Sequence, residues 1–177
     1  MNRPEPPFAF RRLTEDDLPL LHRWLNTAHV LEWWDRPGPT LGQVQAKYLP
    51  RVTGASDVTS YVIYRGEVPI GYIQLYPVRT GAWGLHSIGA GEGLDLFIGE
   101  ALYVHRGLGA GILRQFLTDV VFRDAAVNVC FVDPSPRNRG ALRAYEKAGF
   151  RYLGTGTDPD SGMPVHLMEI NRHDLVN

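Results

Sequence analysis

A glycine-punctuated junction between a strand and a helix constrains this chain more than any other feature. Residues 93–122 read Gly-Leu-Asp-Leu-Phe-Ile-Gly-Glu-Ala-Leu-Tyr-Val-His-Arg-Gly-Leu-Gly-Ala-Gly-Ile-Leu-Arg-Gln-Phe-Leu-Thr-Asp-Val-Val-Phe. The apolar run 94–98 predicts a strand. Ile112, Leu113, Phe116, Leu117, Val120 and Val121 recur at helical spacing. Between them lie His105, Arg106 and glycines at alternate positions, Gly107, Gly109 and Gly111. The first amides of such a helix lack internal acceptors, and its dipole favours negative charge. Glycine lets the backbone curl against a phosphate where a Cβ would clash. The segment therefore points to a phosphorylated cofactor.

Two registers of an anion loop fit these letters. One is Arg106-Gly-Leu-Gly109-Ala-Gly111. The other is Val104-His-Arg-Gly107-Leu-Gly109, which starts the helix near Gly109. In both, the amides of residues 106–110 face the anion and Arg106 adds a charge. A second element follows a strand: Asp133-Pro-Ser-Pro-Arg-Asn138, then a helical run to Gly149. Asn138 and Tyr145 are seven apart and share one helix face. Taken singly, Asn138 is a helix cap and Tyr145 a core aromatic.

The remaining pattern places these elements in one domain, residues 8–177, behind a flexible tail at 1–7. Strands are expected at 8–13, 60–64, 68–78, 127–132, 152–156 and 165–171. A helix is expected after Thr14 and a second at 41–49, with 30–37 and 79–93 irregular. The 177 residues, 44% apolar, suffice for a core. Eighteen basic against 19 acidic residues, with no basic block, give nucleic-acid binding no electrostatic support. No apolar run is long enough to span a bilayer, and the N-terminus lacks the apolar core of a signal peptide. The lone Cys130 reads as a buried thiol, in keeping with a cytoplasmic setting. None of the six histidines has metal-ligand spacing, so no metal is expected.

The two elements, in this order, resemble the GNAT-type N-acetyltransferases, and the likeness extends to the aminoglycoside 6'-N-acetyltransferases. It rests on Trp24-Leu-Asn26, Glu32-Trp-Trp34, Pro39-Thr-Leu41, Val44-Gln45, Tyr48-Leu-Pro50, Gly66-Glu67, Pro69-Ile-Gly-Tyr72, Gly93-Leu-Asp95, Gly107-Leu-Gly109, Asp133-Pro-Ser-Pro136, Asn138 and Tyr145-Glu-Lys-Ala-Gly-Phe150. The spacing from Asp95 to Arg106 suits that family and favours the Gly107/Gly109 register.

The resemblance implies an α/β fold: a mixed, mostly antiparallel sheet of six to seven strands, helices on both faces, and a splayed cofactor cleft. It implies acetyl-CoA as co-substrate. Pantetheine would pair with the backbone of Phe97, Ile98 and Gly99. The pyrophosphate would rest on the amides of Arg106, Gly107, Leu108, Gly109 and Ala110, with Asn138 holding the pantetheine. Asp95 is the implied base and Tyr145 the implied acid toward the CoA sulfur. For a polycationic sugar, acidic groups and flat walls are expected from Glu32, Asp35, Glu92, Asp133 and Asp160, with Trp33, Trp34 and Tyr48. Adjacent Trp33 and Trp34 cannot both face the site. Between Tyr76 and Gly93 the family carries a loop rich in tryptophan and acids. Here it is nearly neutral, keeping Trp83 and Glu92 and gaining Arg79 and His86. That loop keeps other amines in view, a siderophore intermediate or a polyamine, and also a non-catalytic acetyl-CoA-binding protein. The expected assembly is a monomer, or a homodimer paired through a C-terminal edge strand.

Overall fold

The structure is a computed structural model that describes residues 8–34 and 37–176. The expected tail at 1–7 lies outside the described residues, as does Asp35. The strands are β1 (Phe8–Arg12), β2 (Thr59–Arg65), β3 (Val68–Val78), β4 (Gly91–Ile98), β5 (Val129–Val132), β6 (Arg151–Thr157) and β7 (Pro164–Asn171). The α-helices are α1 (Leu18–Leu25), α2 (Ala28–Leu31), α3 (Leu41–Thr53), α4 (Leu108–Asp119) and α5 (Arg139–Ala148). The sheet is mixed and mostly antiparallel, in the order β1-β2-β3-β4-β5-β7-β6. Its parallel ladder is short, Glu92↔Cys130 and Gly93↔Phe131, while β4 continues to Ile98.

The backbone forms two compact units. The first comprises residues up to Gln74 together with Leu96–Arg106. Here Leu18, Leu21, Trp24 and Leu25 form the buried stripe of α1, spaced three and four apart as a one-sided helix requires. They join Val44, Tyr48, Val62, Tyr72 and Phe97 in one apolar cluster. Thr14 opens the α1 segment with a capping box to Asp17 in a 3-10 turn. Two local expectations change. The segment at 30–37 begins in α2 rather than in a loop, and α3 runs through Pro50 to Thr53 instead of stopping at 49. Pro50 lies in the last turn, and Gly54, at φ 79°, closes the helix.

The second unit comprises Leu75–Asp95 and Gly107–Asn177. Val78, Trp83, Ile88, Phe131, Val165 and Leu167 form its apolar cluster. The segment expected to be irregular, 79–93, contains a 3-10 turn at Ala82–Gly84 and the start of β4 at Gly91. β5 pairs antiparallel with β7, and β7 with β6, the latter with a register shift at Tyr152/Gly154. No described helix is long and apolar enough to cross a membrane.

Candidate active site

In the second unit, strand alternation puts Gly91, Gly93 and Asp95 on one face of β4. The missing side chains have a purpose. A Cβ at Gly93 would collide with the ring of Tyr76, and one at Gly91 would press on Val129 and Phe131. The Tyr76 ring therefore lies over bare β4 backbone, with Asp95 close enough for its charge to be felt at the phenol. Asp133 follows β5. Its Oδ2 accepts a hydrogen bond from Trp83 Nε1 at 2.6 Å, and the Tyr76 hydroxyl is also within hydrogen-bonding reach. Tyr145, on the buried stripe of α5, feels both Asp95 and Asp133.

Two carboxylates and two phenols thus gather in one place, and burial sets the protonation of Asp133 and of both phenols. Burial first, then the Asp95 and Asp133 charges, hold both phenols well above their ordinary value. They stay protonated and can donate. Burial also pushes the Asp133 carboxyl up, as does the charge of Asp158, while the Trp83 indole N–H pulls it back. A site with paired carboxylates and protonated phenols can take a proton from an ammonium group and return one to a leaving group.

In the first unit, the end of β4 is packed by aromatic rings. Phe97 stacks on Tyr72 at 5.5 Å and meets Trp34 at 5.0 Å and Trp24 at 6.4 Å, both edge-on. Gly99 has no room for a Cβ because the Trp24 indole occupies that space. Its N–H donates to Ile70 O at 2.8 Å, so Gly99 serves the sheet and has no amide to spare for a ligand. Peptide planarity turns the Ile98 carbonyl the opposite way, where His29 Nε2 meets it at 3.0 Å. Next along the chain, Glu100 accepts from Trp24 Nε1 at 2.8 Å and from Arg23. The Arg23 hydrogen bond is the main reason its carboxyl lies below the usual range.

The loop after β4 settles the register of the glycines. His105 and Gly107 both adopt left-handed backbone, φ 60° and 72°, on either side of Arg106. Such a sequence of backbone turns successive amides toward one side. Gly107 caps α4, which begins at Leu108, as the Val104-to-Gly109 register requires. A Cβ at Gly109 would lie 3.1 Å from the Ala144 methyl of α5, a tight approach that the two helices would have to yield to admit. Arg106 is exposed, and the Leu108 side chain is buried, which leaves Leu108 its amide for a ligand. The first-turn amides of α4, Ala110 among them, have no acceptor inside the helix. This cradle fits a phosphorylated group. Asn138 caps α5, its Oδ1 accepting from Ala141 N at 3.0 Å; the cap makes no demand on its Nδ2.

Other expected residues fall elsewhere. Tyr48 is a correction: at 1% exposed it is core, with Tyr72 edge-on at 5.7 Å and the Arg51 guanidinium 4.6 Å over its ring. Its place on the inward stripe of α3, four residues after Val44, is the reason. Glu92 is another. Strand alternation sets it on the face of β4 opposite Asp95, where burial and Asp124 raise its carboxyl. Trp34 packs against Phe97 and Tyr72, while Trp33 is 42% exposed, and Glu32 is exposed beside it. Asp160 is exposed on the β6–β7 turn, and it is Asp158 of that turn whose charge reaches Asp133. Tyr76, His29 and Asp158 were not singled out from sequence. For Tyr76 a signal existed: it continues the Tyr72, Gln74 alternation of β3.

The chain matches the acetyltransferase (GNAT) domain family over residues 14–157, and it belongs to that family. The particular likeness is to aminoglycoside N(6')-acetyltransferase type 1 of Klebsiella pneumoniae, 39% identical over 166 residues, 91% of this chain and 82% of that one. Among solved structures, aminoglycoside acetyltransferase AAC(6')-Ib in complex with coenzyme A and kanamycin superposes with a TM-score of 0.84. It is 38% identical, and the match covers 96% of this chain and 97% of that one. More distant is the lysine N-acyltransferase MbtK of Mycolicibacterium paratuberculosis, 27% identical over 93% of this chain and 75% of that one.

Proposed function

We propose that this protein transfers the acetyl group of acetyl-CoA to the 6'-amino group of aminoglycosides. The observation that carries this reading is the convergence of Asp95, Asp133, Tyr76 and Tyr145, in a chain 39% identical to an aminoglycoside N(6')-acetyltransferase. The amides of residues 106–110 and the Arg106 guanidinium hold the pyrophosphate, and Asn138 Nδ2 holds the pantetheine. When bound, acetyl-CoA supplies an activated acyl group. The chain's own residues do the rest. Asp133 receives ammonium groups of the sugar. The Asp95 carboxylate takes the proton from the reacting ammonium, since only the neutral amine has a lone pair. Tyr145 gives its Oη–H to the departing thiolate and takes up the second proton that the acylated nitrogen sheds, so that it ends protonated, as its burial favours.

Trp33 supplies an exposed flat surface for sugar rings. Its working place is the cytoplasm, where acetyl-CoA is available, and it acts as a monomer or homodimer. A second reading is acylation of another small amine, such as a siderophore intermediate or polyamine. It is favoured by residues 79–91, which hold Arg79 and His86 and no acid, and by the covering of Tyr48 with Arg51. Incubation with acetyl-CoA and a panel of kanamycin, gentamicin, spermidine and lysine, read by thiol release and product mass, separates them. Singly acetylated kanamycin modified at the 6' position is the expected product. Turnover confined to lysine or spermidine rejects the aminoglycoside reading.

A further inference from the structure

The short turn at Ala82–Gly84 is built around one side chain. Gly81 and Gly84 are left-handed at φ 79° and 73°, and between them Trp83 is itself left-handed at φ 55°. For a bulky non-glycine residue that backbone is strained and persists only where its surroundings impose it. Those surroundings are a socket. The indole packs at 6.0 Å from the Phe131 ring, and Gly156 of β6 leaves room that a Cβ, 2.8 Å from the Trp83 Cβ, would take. Trp83 is 9% exposed, and its one polar atom, Nε1, meets Asp133 Oδ2 at 2.6 Å. The socket holds the indole in one orientation, with its single donor on the carboxylate.

We propose that Trp83 is a positioning residue for Asp133: its indole N–H fixes one carboxylate oxygen and so aims the group that receives the substrate's ammonium. This rests on the reading of Asp133 as an amine-binding carboxylate. Without the indole, Asp133 loses a donor that favours its ionised form, and its carboxyl rotates about Cβ. The groups that bear on it are Trp83, Tyr76 from β3, Tyr145 from α5 and Asp158 from the β6–β7 turn, with Asp95 and Cys130 acting on the same two phenols. Asp158 opposes ionisation, while the backbone N–H of Asp133 itself and the Tyr76 hydroxyl supply the remaining donors. Removal of the indole N–H therefore moves the Asp133 midpoint upward.

Two measurements test this. The first follows the indole N–H resonances of the ¹⁵N-labelled native chain against pH. The Trp83 signal, assigned by its absence in Trp83→Phe, is expected to shift with a midpoint above the ordinary aspartate range and to stop responding in Asp133→Asn. A Trp83 signal that ignores pH, or responds equally in Asp133→Asn, overturns the proposal. The second is steady-state kinetics with kanamycin. Trp83→Phe is expected to raise the KM for kanamycin about tenfold, the scale of one hydrogen bond to a charged group. The KM for acetyl-CoA stays level, and the acid limb of kcat/KM moves to higher pH. In an Asp133→Asn background the same change adds nothing; a full tenfold loss there means that Trp83 acts independently and overturns the proposal. If the native protein acetylates no kanamycin, the substrate reading falls, while the resonance titration still decides the link between Trp83 and Asp133.

Discussion

Two aromatic clusters use similar side chains for opposite ends. In the first unit, Trp24, Trp34, Tyr48, Tyr72 and Phe97 pack ring against ring, mostly edge-on. In the second, Tyr76, Trp83 and Tyr145 turn their polar tips toward Asp95 and Asp133. Glycine makes both possible, with Gly99 admitting Trp24 and Gly93 admitting Tyr76. The difference lies in what the rings meet. Where the neighbour is another ring, burial yields stability. Where it is a carboxylate, burial yields a shifted protonation equilibrium, and that is what chemistry needs.

The contrast predicts that the first cluster fails by unfolding and the second by losing turnover. The largest effect is expected for Trp24→Ala. It empties the space over Gly99 and strips Glu100 of a donor, at a cost of about 3–5 kcal/mol by urea denaturation. The pH profile of the remaining folded enzyme should be unaltered; a shifted profile would join the two clusters functionally. Next, Asp95→Asn should lower kcat by about 10²-fold or more with little change in the urea midpoint. Normal turnover would remove Asp95 as the base.

Glu92→Gln is the smallest and bears on the faces of β4. Burial raises the Glu92 carboxyl in the folded state, so its contribution is lost as pH rises from the unfolded value through the folded one. The amide should therefore stabilise the protein at pH 7, by less than about 1 kcal/mol given its partial exposure. That gain should vanish in acid below the ordinary glutamate range, where Glu92 is protonated in both states, with kcat unchanged throughout. A fall in turnover would put Glu92 on the Asp95 face.

Legibility followed how local the cause was. The strand, glycine loop and helix of residues 93–119 could be read because turn, cap and helical stripe are set within a few residues. The Asn138 cap and the Gly149 stop of α5 were equally plain. Tyr48 was misjudged because one aromatic in a helix looks alike whether it lines a wall or fills a core. Glu92 was misjudged because its acidic character says nothing of which face of β4 it takes. Gly99 read as part of a ligand-binding strand, whereas Trp24, distant in sequence, explains it.

The sequence by itself determined the order of strands and helices, the anion-binding turn and the kinship to GNAT acetyltransferases, since each rests on short-range spacing. The tertiary structure alone decided which carboxylates and phenols share an environment. Asp133 reaches Trp83 across fifty residues, and only there do burial and neighbouring charge fix which groups hold a proton.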